Sequence, residues 1–180
     1  MKELKEFTIS FSGLKIGKHR FDFEINKTFF EFFEYEEFNG ASIELEVILE
    51  KKNTFLEFAL NFKGFVNVAC HVTNEPFDQP ISGSYDFVVK FGEEYDDEKE
   101  DILIIPHGSF EVNIAQFIYE TIVLAVPLRC VHPGVEDGTL KSEILDKLEE
   151  LRPKLLEEEQ PEDDEIDPRW ESLKKLLTDK

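Results

Sequence analysis

Ser42-Ile43-Glu44-Leu45-Glu46-Val47-Ile48-Leu49-Glu50 is the stretch that decides the fold. Side chains alternate across an extended strand, so Ile43, Leu45, Val47 and Leu49 share one face while Glu44, Glu46 and Glu50 share the other. Only Ile48 breaks the alternation. A strand with one dry face has to lay that face on something.

Reading forward, Lys51-Lys52-Asn53 makes a turn, and a second strand aligns Leu56, Phe58, Leu60 and Phe62. A third aligns Val66, Val68, Cys70 and Val72, and a fourth, after Pro80, aligns Tyr85, Phe87, Val89 and Phe91. Reading backward, Phe7, Ile9 and Phe11, then Phe21, Phe23 and Ile25, give two strands around a loop. Between these and Ser42 the period changes. Phe29, Phe32 and Phe33 fall at helical spacing among acids, which predicts a short amphipathic helix.

Glu93 to Asp101 is mostly acidic and reads as a solvated loop leading to a short strand, Ile102 to Ile105. It lacks the alternating acids and glycine of a calcium loop. Asn113 and Gln116 fit a capping box for an apolar helix through Ile114, Phe117, Ile118, Thr121, Ile122 and Ala125 that stops before Pro127. Glu120 falls on its wet edge. The sequence thus predicts an α+β fold: a curved antiparallel β-sheet or partly closed β-barrel covered by helices, with a C-terminal acidic helical arm. Its divisions are a core domain over 1–135, a helix over 136–156 with Leu140, Ile144, Leu145, Leu148 and Leu151 as its stripe, an acidic linker over 157–166, and a terminal amphipathic helix over 167–180. In that last piece Asp167 caps, Pro168 suits the first helical position, and Trp170, Leu173 and Leu176 form a narrow apolar edge beside Arg169. Such an edge needs a surface to sit on, either the chain's own domain or a partner.

Composition divides the chain in the same way. All 18 Phe lie between Phe7 and Phe117, so the core belongs to the first two thirds. Of the net charge of −20, residues 1–91 carry −5 and residues 92–180 carry −15. That balance repels polyphosphates, so RNA contact is expected to be weak or indirect, and basic proteins are the more natural partners. No apolar stretch is long enough to span a bilayer, and the first residues lack a secretory h-region, so a cytoplasmic location is expected. Two cysteines make no disulfide framework.

The chemistry is sparse. The four histidines, His19, His71, His107 and His132, lack the spacing of a zinc protease, and neither a phosphate-cradling glycine loop nor a nucleophile elbow occurs. The one metal hypothesis joins Cys70 and His71 to Cys130 and His132, two sulfurs and two nitrogens for a tetrahedral zinc. Strand geometry argues against it, since a His71 following Cys70 in a strand points to the opposite face. No cofactor is expected.

Three segments in order carry a resemblance: Val66-Asn67-Val68-Ala69-Cys70-His71-Val72-Thr73-Asn74-Glu75-Pro76-Phe77, then Val112 to Glu120 with Val126-Pro127, then Asp167-Pro168-Arg169-Trp170 with Leu173. Together they resemble the YceD family of large ribosomal RNA subunit accumulation proteins. Two departures are plain. Thr73 stands where many members have a second Cys, and the segment before the terminal motif is acidic where many have a Cys-rich cluster. Family metal binding is therefore not carried over.

The resemblance implies a non-enzymatic role in the synthesis, processing or stability of large-subunit ribosomal RNA. The partners expected are a basic ribosomal protein or a large-subunit assembly intermediate, met through Asp167, Pro168, Arg169, Trp170, Leu173 and Leu176. A small-molecule-binding barrel lined by the many Phe is the alternative. A hydrolase or transferase with a dispersed site has no positive feature in its favour.

Overall fold

The computed structural model describes residues 3–99 and 101–153. Its backbone is dominated by a six-stranded sheet in the order β2-β3-β4-β5-β7-β6. The strands are β2 (Gly17–Asn26), β3 (Gly40–Lys51), β4 (Phe55–Ala69), β5 (Pro76–Gly92), β6 (Asp96–Lys99) and β7 (Ile102–Pro106). From β2 to β5 every pairing is antiparallel, while β7 joins β5 in parallel. The sheet does not close. It ends on β2 at one edge and on the short charged β6 at the other, which corrects the expectation of a partly closed barrel.

The Ile43-to-Leu49 pattern does what alternation demands: Ile43, Leu45, Val47 and Leu49 are all buried. Register carries that face across the sheet, with Leu49 opposite Phe58 and Phe58 opposite Phe87. Phe87 is sandwiched there, stacking on Phe58 at 4.9 Å and on Phe117 at 4.2 Å between ring centroids. Phe117 belongs to α2 (Ala115–Ala125), which covers the dry face with Ala115, Ile118 and Ile122 buried.

Three readings change. The two strands expected over Leu56–Phe62 and Val66–Val72 are one strand, β4, running straight through Gly64. A Cβ at Gly64 would overlap the Ser42 carbonyl oxygen, so glycine here lets two backbones approach rather than making a turn. The strand at the N-terminus, β1 (Thr8–Ser10), pairs not with β2 but with β8 (Glu111–Asn113), a separate two-stranded sheet. Residues Glu93 to Asp101 are not all loop, since Asp96–Lys99 adds β6 against β7.

The helix read from Ile114 to Ala125 forms as α2, while the first helix is shorter than its periodicity suggests. Asn26 accepts a hydrogen bond from the Thr28 N–H and starts α1 (Lys27–Glu31), which buries Phe29 and Phe30 and leaves Phe32 exposed. Asn113 accepts from the Ala115 N–H at 3.0 Å, but Gln116 turns outward and donates to Glu120, so only half of the capping box forms. Glu120 is exposed.

The chain divides into two compact units at Ser142. The first contains the sheet, α2 and the single turn of α3 (Pro133–Glu136). The second contains α4 (Glu143–Glu150), which begins later than the 136–156 helix read from sequence. Within α4 no side chain is buried.

Candidate functional site

The loops that follow β4 and α2 are laced together. β4 ends at Ala69, so Cys70 is already in a turn, which the Asn74 N–H closes onto the Cys70 carbonyl at 2.8 Å with Asn74 at φ +59°. This removes the premise that placed His71 on the opposite face of a strand. The His71 N–H donates to the Cys130 carbonyl at 2.9 Å, and the Cys130 N–H donates to His71 Nδ1 at 3.3 Å. The His132 N–H donates to Cys70 Sγ at 3.3 Å and the Val72 N–H to the same sulfur at 3.4 Å. Gly134 N–H caps onto His132 Nδ1 at 2.9 Å.

The four residues weighed as zinc ligands are therefore neighbours, joined largely through their backbones. Both imidazole Nδ1 atoms accept backbone N–H groups, which leaves the Nε2 atoms for the ring proton. His71 is exposed while Cys70 and Cys130 are buried. Among the described residues no group of three or more His, Cys, Asp or Glu is disposed to hold a metal ion.

The knot sets the charge state of its sulfurs. Burial opposes ionisation of Cys70, but donors from His132, Thr73 and Val72 outweigh it and bring the thiol from 9.0 to about 7. Burial pushes the Cys130 thiol up, and the neighbouring Cys70 adds to that.

What the knot presents is the segment between Pro127 and Cys130. Cys130 Sγ donates to the Pro127 carbonyl at 3.3 Å, fixing the turn from inside. Leu128 is fully exposed on that turn, and Leu124, one helical turn earlier on α2, is 84% exposed. Beside Leu124 a groove runs over Phe62, Tyr85, Thr121 and Ala125. Neither leucine stood out in the sequence, where an apolar residue near a helix end reads as core.

The solvent face of the sheet is acidic. Glu44, Glu46, Glu50 and Glu57 line it, held by Lys63 at 3.5 Å, Arg20 at 2.8 Å, Lys18 at 3.7 Å and Lys52 at 2.6 Å. These four cations are each engaged by a carboxylate, so they offer a polyphosphate little. Asp167, Pro168, Arg169, Trp170, Leu173 and Leu176, and with them the acidic linker and arm, lie outside the described residues.

No helix among the described residues is long and apolar enough to cross a membrane. No curated protein and no solved structure matches the chain significantly. A family model described as "Large ribosomal RNA subunit accumulation protein YceD" matches residues 58–177, which takes in most of β4, the knot, α2 and the terminal Asp167-Pro168-Arg169-Trp170. That is about two thirds of the chain, and the chain belongs to the YceD family, whose description ties it to large-subunit ribosomal RNA accumulation.

Proposed function

We propose that this protein is a cytoplasmic, non-enzymatic ribosome-biogenesis factor that supports the synthesis, processing or stability of 23S ribosomal RNA. It works by contacts with ribosomal proteins or assembly intermediates rather than by gripping bare RNA. The family match over residues 58–177 is the observation that carries this reading. The charge of −20 supports the choice of partner, because a polyanion attracts basic ribosomal proteins and repels the RNA they bind. The exposed Leu124 and Leu128 supply the apolar contact that electrostatic attraction alone lacks.

The acidic linker 157–166 and the Trp170 edge complete the proposal as a tethered arm that screens a basic partner and docks on apolar surface. The test is capture of cell extract on the full chain at low salt. Basic large-subunit proteins or precursor particles are expected on the chain and released at high salt, since screening acts on exposed pairs. Retrieval of neither at low salt would sink the reading.

A further inference from the structure

The edge of the sheet at β2 carries a charge pattern that matches its own reverse. Along the exposed side of this strand stand Lys18, Arg20, Asp22 and Glu24, two cations followed by two acids, spaced evenly about the position of Phe21. On the other side His19, Phe21 and Phe23 are only half-buried, although their neighbours on β3, Leu49, Val47 and Leu45, are buried. The strand pairs with β3 over ten residues without a register shift, and among the described residues its other edge pairs with nothing. Proline and bulges, the usual devices that blunt such an edge, are absent from it.

We propose that β2 pairs antiparallel with β2 of a second copy, joining the two sheets into one across a two-fold axis at Phe21. In that register Lys18 stands opposite Glu24 of the second copy and Arg20 opposite Asp22. His19 meets Phe23, and the two Phe21 rings meet on the axis. Opposite charges directly across a strand pair stabilise it, and like charges do the reverse.

The existing partners of β2 leave this demand open. Asp22 faces Glu46 and Glu24 faces Glu44 across β3, acid against acid. Arg20 serves Asp22 at 2.9 Å and Glu46 at 2.8 Å, but among the described residues Glu24 has no ion pair. Lys18 of a second copy, which in its own chain stands 3.7 Å from Glu50, supplies one, and the half-buried Phe21 and Phe23 gain the cover that a neighbouring strand gives. Edge charges are often read as guards against aggregation, yet guards of one sign repel a copy, whereas this sequence attracts its own reverse. The net charge of −20 opposes the approach of two chains at low salt. At ionic strength near ~0.15 M the screening length is about 8 Å, which quiets that repulsion and spares pairs in contact.

The experiment is sedimentation equilibrium of the full chain at that ionic strength. Wild type is expected to form a reversible dimer. Lys18→Glu and Glu24→Lys, each of which sets like charges against each other twice, are expected to weaken it about tenfold or more. An equimolar mixture of the two variants, and the double variant, are expected to restore it, because each pair is again one lysine facing one glutamate. A variant that had merely misfolded would not be rescued by mixing. A monomeric wild type, single reversals that dimerise like wild type, or a mixture that stays as weak as its components would each overturn the proposal.

Discussion

The His132 backbone N–H reaches the Cys70 sulfur at 3.3 Å, so the loop after α2 is fastened to the loop after β4 by a hydrogen bond to a thiol. The sulfur acts as an acceptor, and an acceptor inside a ring of N–H donors is better as a thiolate.

Two thiols that differ in this way should titrate apart. Absorbance of the thiolate is expected to show one group ionising near pH 7 and the other above 9.0, with the lower step absent from Cys70→Ala. The Cys70 pKa is depressed on folding, so its contribution to stability is complete above the unfolded value, declines as pH falls from about 9 to about 7, and is lost below that. Denaturation of wild type and Cys70→Ala should therefore diverge by about 1–3 kcal/mol between those two pH values, wild type gaining with rising pH. Parallel stabilities across that window would contradict the assignment.

Gly64 is a point of backbone contact, not a flexible joint. Gly64→Ala is expected to cost about 3 kcal/mol in chemical denaturation, because the added methyl meets the Ser42 carbonyl and neither strand can yield without breaking register. A change under about 0.5 kcal/mol would mean that the strands slide freely there.

Lys51 holds the loop between β1 and β2. Its Nζ donates to the carbonyls of Phe11 at 2.8 Å and Leu14 at 2.9 Å. Lys51→Met keeps the stem and removes both bonds, and is expected to lower stability by about 1.5–3 kcal/mol and to speed amide exchange in that loop.

These three positions show where the sequence was legible and where it was not. The wet and dry faces of β3 and the covering face of α2 could be read because they depend only on local spacing. The partner of β1 could not, since its ladder joins Ile9 to Val112 across most of the chain, and no local pattern encodes that choice. Residues 56–62 and 66–72 read as two strands, and only the closeness of Ser42 to Gly64 shows that the backbone runs on as one. Acids hid β6, whose strand character comes from pairing with β7 rather than from its own residues. Cys70, His71, Cys130 and His132 could be grouped in advance as the scarce chemistry of the chain. Their backbone lacing depends on where β4 ends, at Ala69 rather than at Val72 where the strand pattern ran.

Leu124 and Leu128 should separate binding from folding. Being exposed, they are expected to accept Leu124→Ser and Leu128→Ser with stability changes within about 0.5 kcal/mol. Capture of ribosomal proteins or precursor particles by the double variant is expected to fall about tenfold at fixed salt. Equal capture by wild type and the double variant would remove this pair from the contact.

The central claim is that the chain sustains the large ribosomal subunit through its contacts, with the acidic arm among them. Its most direct test is to replace the protein in cells by a version ending before residue 157 and to record ribosomal sedimentation profiles. The account predicts a reduced large-subunit peak relative to the small subunit, with the truncated domain still folded. A folded truncated domain with unchanged subunit levels would contradict it.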